Sequence, residues 1–246
     1  FGTQKLEEEA KKLFPQARID RLDRDTVKGR ESFESVHRKM NLGEIDILIG
    51  TQMITKGHDF PNVTLVGVIY ADISLNIPDF RSAERSFQLL TQVAGRAGRG
   101  KVPGLVIIQS LLANHYVFDF VKEHDFRGFS EKELTLREKL KYPPFTRMVA
   151  IEIESVYEQA GEIFANSIKK ILVQILKGTN DIEILGPARA ALYQINSRFR
   201  RHLILRSYDR RKLQLVLKRL YETPEIKKSS NPKIKLTLDI DPINLM

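Results

Sequence analysis

The strongest constraint on the fold is an alternation in the first half of the chain. Short, continuous apolar runs there are separated by stretches of helical periodicity. Ala17 to Leu22, Ile45 to Ile49, Val63 to Ala71 and Leu105 to Gln109 read as strands. Gln4 to Phe14, Glu31 to Met40 and Ala83 to Ala97 read as helices, the first with Leu6, Ala10, Leu13 and Phe14 on one stripe. Strands apolar on both faces and alternating with helices mean an α/β fold, a parallel sheet with helices on both faces. Residues 1–127 are expected to form that domain. Ser130 to Tyr142 opens with Ser130 and Glu133 in capping-box spacing and stops at Pro143-Pro144, which predicts a connecting helix. Beyond it, Met148 to Glu154, Ile182 to Leu185, Ala191 to Ile195, His202 to Arg206 and Ile234 to Ile240 read as strands. Tyr157 to Leu176 and Arg211 to Tyr221 read as helices. Residues 128–246 are therefore expected to hold the connecting helix and a small α+β domain, with helices on one face of an antiparallel sheet.

Charge separates the two halves. Of the net +9, residues 1–126 contribute nothing, with 17 Lys and Arg against 17 Asp and Glu. Residues 127–246 carry 23 against 14. Between Arg189 and Arg219, ten basic residues stand against the single acid Asp209. A polyanion is the natural partner, and Arg198, Arg200, Arg201 and Arg206 are the candidate nucleic-acid contacts, because a guanidinium forks onto phosphate. A solvated basic face and a docking surface for an acidic protein segment are the alternatives. The chain has no cysteine, which excludes a disulfide framework and a thiolate zinc site within it and suits a reducing cytoplasm. Its longest apolar run, Val63 to Ala71, is too short to span a bilayer, so no membrane partner is expected. The five histidines show no metal-ligand spacing.

Two segments carry chemistry. Gln92-Val-Ala-Gly-Arg-Ala-Gly-Arg99 closes the helix that begins at Ala83. Arg96 and Arg99, three apart, project from one helix face. Small residues between them let that face approach another surface. Two guanidiniums so placed neutralise charge on a transferring γ-phosphoryl group. The second segment, Gly50 to Pro61, follows the strand Ile45 to Ile49 directly, and the carboxyl ends of parallel strands are where ligands bind. Thr51 and Gln52, with Lys56, are placed to hold a nucleic-acid phosphate, and Gly57 and Asp59 suit a tight turn beside a nucleotide. Gly95 to Lys101 fits the spacing G-x-x-x-x-G-K, but Val102 stands where a phosphate loop needs Ser or Thr. Asp72, after the apolar run at Val63, reads as structural or loop-positioning.

The Q-x-x-G-R-x-G-R string resembles motif VI of superfamily-2 helicases, Gly50 to Pro61 resembles motif V, and Gly2-Thr3-Gln4 resembles motif IV, where Thr3 touches the DNA backbone. The likeness narrows further at Asp23 to Thr26, Pro78 to Arg99, Tyr142 to Phe145, Gly186 to Ala188, Arg198 to Arg201 and Asp239 to Pro242. These resemble the PriA family of replication-restart DNA helicases across essentially the whole chain. The resemblance implies a RecA-like second motor lobe and a 3′→5′ helicase that recognises stalled forks and reloads the replisome. It implies Arg96, Arg99 and Gln92 as catalytic residues. As partners it implies forked and single-stranded DNA, the single-stranded-DNA-binding protein and other primosome proteins. ATP and Mg²⁺ would be held mainly by a phosphate-loop lobe upstream of Phe1, and Zn²⁺ by an upstream cysteine-rich module. The chain opens on Phe1 and is expected to be part of a longer protein, inactive as an ATPase by itself. A non-enzymatic adaptor that keeps a helicase lobe as scaffold is the alternative.

Overall fold

The structure is a computed structural model that describes residues 2–23, 30–55, 60, 62–97, 103–179, 181–227 and 233–245. The chain divides into two compact units, residues 1–75 with 83–126, and residues 76–82 with 127–246.

The first unit is built from helix–strand repeats. Helix α1 (Thr3–Leu13) leads to β1 (Ile19–Leu22), α2 (Arg30–Asn41) and β2 (Ile47–Gly50). After short 3₁₀ turns come β3 (Leu65–Val68), α3 (Ser82–Ala94), β4 (Leu105–Ile108) and α4 (Tyr116–Lys122). Strands β1 and β2 pair in parallel, as do β3 and β4. Each pair is joined through a crossover helix, α2 or α3, which parallel pairing requires. Among the described residues the strands form these two parallel pairs rather than one continuous sheet. A small core of Leu22, Val36 and Ile45, flanked by Phe33, Met40, Leu48 and Ile54, seats α2 on the first pair. The stripe expected on α1 is buried only in part: Leu6 and Ala10 are half-covered, whereas Leu13 is 72% exposed. Asp72 accepts the N–H of Leu111 at 2.8 Å and fastens the loop after β3 to the loop after β4. Its carboxyl is held below the usual range by the Ser110 hydroxyl.

The second unit opens with α5 (Phe126–Lys139), followed by β5 (Arg147–Ser155), α6 (Glu158–Ile175), β6 (Ile182–Ile195), β7 (Arg198–Ser207), α7 (Arg210–Glu222), the one-turn α8 (Pro224–Lys227) and β8 (Ile234–Ile240). The sheet is antiparallel in the order β6-β7-β5-β8. Its core joins Val149, Ile151 and Ile153 of β5 and Leu203 and Leu205 of β7 to Ala165, Ile168 and Leu172 of α6 and Leu213, Val216, Leu217 and Leu220 of α7. Each buried Leu or Ile contributes ~1.5–3 kcal/mol, so this cluster holds the unit together. Helix α7 starts sharply because the Asp209 carboxylate accepts the N–H groups of Arg211 and Lys212.

Several sequence expectations change. Ile182 to Leu185 and Ala191 to Ile195 are one strand, interrupted by register shifts at Leu185/Ala188 and Arg189/Gln194. Gly186-Pro187 lies at the first of these shifts, a bulge within the strand. Helix α5 begins at Phe126, not Ser130, because Phe129 in its first turn is buried. Ser130 therefore lies inside the helix and makes no capping box; Glu133 pairs with Arg137 at 2.9 Å. Helix α3 ends at Ala94, three residues short of the expected Ala97, because Gly95 is a poor helix former. Helix α4, whose N–H at Val117 is accepted by the His115 ring, escaped the sequence reading.

Candidate nucleotide and nucleic-acid surfaces

The arginine segment emerges from the end of α3, whose inner face buries Phe87, Leu90 and Val93. Gly95 N–H still bonds to the carbonyl of Thr91 at 3.0 Å, and Arg96 N–H tightens onto Val93 at 3.0 Å. Arg96 thus lies in the turn beyond the helix, half-buried, with Gln92 exposed one turn before it. The expectation that Arg96 and Arg99 share a helix face is corrected for Arg96, which is not helical. Arg99 lies outside the described residues.

At the carboxyl end of β2 the chain passes Thr51 into a 3₁₀ turn, Gln52–Thr55, closed by Ile54 N–H onto Thr51 carbonyl at 3.1 Å. Thr51 and Gln52 are both exposed there. Gly50 has no room for a side chain: a Cβ would collide with the Leu22 carbonyl and the Ile54 side chain. Phe60, at the far end of the same segment, is buried against the His37 ring, centroids 5.3 Å apart. Lys56, Gly57 and Asp59 fall outside the described residues. Thr3 opens α1 and donates its hydroxyl to the buried Asp23 at 2.5 Å, tying the helix start to the end of β1.

Of the four candidate arginines, all on β7, three make internal ion pairs. Arg200 and Arg201, adjacent on β7, point to opposite faces of the sheet. Arg200 is 7% exposed and forks onto Glu152 of β5, with both contacts at 2.9 Å. Burial opposes ionisation of Glu152, but the Arg200 fork prevails and holds its carboxyl below the usual range. Arg201 is 8% exposed and reaches Glu162 of α6 at 2.9 Å, with its guanidinium over the Tyr193 ring. Arg206 donates to Glu183 at 2.9 Å and to the Leu140 carbonyl at 2.7 Å. Arg198 is half-buried at the start of β7. Arg200, Arg201 and Arg206 are thus engaged by internal partners.

Among the described residues, several cations that reach solvent sit on the helices. On α7, Arg210, Arg211, Lys218 and Arg219 are exposed, and on α6, Lys169 and Lys170. Apolar Ile163, Val173, Leu215 and Tyr221 stand exposed on the same two helices. Helical spacing on α7 held this signal, but strand and helix arginines look alike in a linear count.

With the geometry in place, similarity to known proteins decides the family. Residues 2–101 match the helicase conserved C-terminal domain, and residues 138–243 match the primosomal protein N C-terminal domain. Replication restart protein PriA of Bacillus subtilis is 39% identical over 248 residues, covering 100% of this chain and 30% of that protein. Its counterpart in Synechocystis is 41% identical over 244 residues, covering 99% and 28%, and that of Chlamydia pneumoniae is 38% identical over 243 residues, covering 98% and 32%.

The chain belongs to the PriA family. It spans about a third of the length of these PriA relatives. The helicase match falls on the first unit, a RecA-like lobe, and the primosomal match on the second. Among the described residues no helix is long and apolar enough to cross a membrane.

Proposed function

We propose that the chain is the second motor lobe and C-terminal domain of an ATP-dependent 3′→5′ DNA helicase that restarts replication at stalled forks in the cytoplasm. Residues 1–127 serve as the lobe and residues 128–246 as the connecting helix and the DNA- and protein-binding domain. The observation that carries this reading is the arginine turn directly after α3, within the stretch that matches helicase C-terminal domains.

ATP hydrolysis transfers the γ-phosphoryl group to water, and the β–γ bond breaks as negative charge gathers on the leaving oxygen. Arg96 and Arg99 neutralise that charge from across the cleft, and Gln92 orients the γ-phosphate. Gly57 and Asp59 are assigned to the nucleotide. Thr51, Gln52 and Lys56 grip the DNA backbone, and Thr3 sets the start of α1 beside it. Mg²⁺ is assigned mainly to the phosphate-loop lobe, where it would supply positive charge to the nucleotide phosphates. Zn²⁺ is assigned to a cysteine-rich module upstream. The basic face of α6 and α7 takes the phosphates of forked and single-stranded DNA, and the C-terminal domain also meets the single-stranded-DNA-binding protein and other primosome proteins.

The test is a comparison of two preparations. The complete protein should hydrolyse ATP in response to single-stranded DNA and unwind forks, while this chain alone should bind DNA with no turnover. No turnover from the complete protein would replace the motor reading with that of an adaptor.

A further inference from the structure

Residues 76–82 lie in the second unit, although the chain on both sides of them lies in the first. The stretch is held there by two devices. Asp79, 7% exposed, accepts the N–H of Arg81 on Oδ1 at 2.8 Å and the N–H of Leu245, 166 positions away, on Oδ2 at 3.0 Å. Phe80 lies flat on Tyr142, the ring centroids 5.5 Å apart and the planes 12° from parallel.

The stacking continues beyond those two rings. The Arg137 guanidinium lies 5.4 Å from the Phe80 centroid, and the Arg206 guanidinium 5.7 Å from that of Tyr142. Both cations are fixed, Arg137 by Glu133 and Arg206 by Glu183 and the Leu140 carbonyl. Cation and ring therefore form one stacked series, Arg137, Phe80, Tyr142, Arg206, reaching from α5 to β7. A plain surface connection needs no such anchorage.

What the anchor leads into gives it a use. Ser82 N–H bonds to the Asp79 carbonyl at 3.0 Å, and Ser82 is the first residue of α3. That helix is a stiff rod, with Gln92 in its last turn and Arg96 just past its end. Phe80 also borders a cavity of about 300 Å³ lined in part by Arg81, Pro143, Arg147 and Asp241.

We infer that Asp79 and Phe80 are positioning residues that transmit the state of the C-terminal unit to the arginine turn after α3, so that DNA bound there sets the rate of ATP hydrolysis. The inference rests on the motor reading of Arg96 and Arg99. A transmission of this kind stands only if breaking the link separates two measurable properties.

The experiment uses the complete protein, wild type and with Phe80→Ala, Phe80→Tyr and Asp79→Asn. ATPase is read with and without a saturating single-stranded oligonucleotide, and the Kd for that oligonucleotide is measured in parallel. Phe80→Ala should keep DNA-free ATPase and Kd within about twofold of wild type and lose about tenfold of the DNA stimulation. Phe80→Tyr, which restores the stacked ring, should recover it. If Phe80→Ala does not fold, Asp79→Asn carries the test with the same expected split. Full stimulation with unchanged Kd in Phe80→Ala, or in Asp79→Asn when that variant carries the test, overturns the inference alone. So does an equal loss of DNA-free and DNA-stimulated ATPase. A wild type without DNA-stimulated turnover overturns the motor reading as well.

Discussion

Arg200 and Glu152 meet as a two-pronged ion pair across β7 and β5, Nε to Oε1 and Nη2 to Oε2, both at 2.9 Å. The guanidinium is buried and the carboxylate half-buried, so the pair braces the sheet and the arginine is withheld from solvent. Glu152→Ala leaves a buried cation without its fork. Thermal unfolding of this chain should then show a loss of about 2–4 kcal/mol, between the values for exposed and buried pairs. Arg200→Met paired with Glu152→Leu should cost less than either single change. Equal melting temperatures for Glu152→Ala and wild type would refute the bracing role.

Arg18 and Asp46 form the matching ion pair in the first unit. The guanidinium Nε and Nη2 and the Arg18 N–H all donate to one carboxylate, at 2.6–2.9 Å, just ahead of β1 and β2. These hydrogen bonds lower the Asp46 pKa from 3.8 to about 2. The folded state binds that proton more weakly than the unfolded chain does. The stabilisation is therefore complete above about pH 4 and fades as pH falls through about 2. A carboxyl-carbon NMR titration should place Asp46 near 2 and move it back toward 3.8 in Arg18→Ala. An Asp46 midpoint indifferent to Arg18 would contradict the assignment.

Gly186 sits at the first register shift of β6 with φ +98°, and a Cβ there would lie 2.8 Å from the His202 carbonyl oxygen. Gly186→Ala meets both the left-handed backbone penalty and a backbone clash, together about 2–4 kcal/mol. Chemical denaturation of the chain should show that loss. A variant as stable as wild type would mean the bulge repacks freely.

The exposed cations of α7 give the nucleic-acid prediction. Arg211→Glu with Lys218→Glu should weaken binding of a labelled fork to this chain and reduce the salt slope by about 0.9 for each phosphate no longer neutralised. Arg200→Met should leave that slope unchanged. The opposite pattern in fluorescence anisotropy would return DNA binding to β7.

The fold was legible where a local rule governs it. Ile47 to Ile49, Leu105 to Ile108 and Met148 to Ile153 announce themselves as strands by apolar content, and Leu213, Val216, Leu217 and Leu220 announce the inner face of α7 by helical spacing. What the linear string hides is pairing across distance. Arg200 and Glu152 are 48 positions apart, and only the antiparallel register of β5 on β7 brings them together. Arginine counts therefore located a basic domain without separating its braces from its solvent-facing cations. The same holds for Asp79 and Phe80, whose partners Leu245 and Tyr142 are supplied by the other half of the sequence. In the arginine turn, composition suggested a longer helix, whereas Gly95 ends it at Ala94 and frees Arg96 from the helical face.

Whether the turn after α3 acts on the γ-phosphate is decided by Arg99→Ala in the complete protein. DNA-stimulated ATPase should fall by ~10³-fold or more, the scale of a missing arginine finger, while affinity for single-stranded DNA stays within about twofold. ATPase at the wild-type level in that variant would contradict the finger role and, with it, the motor reading of this turn.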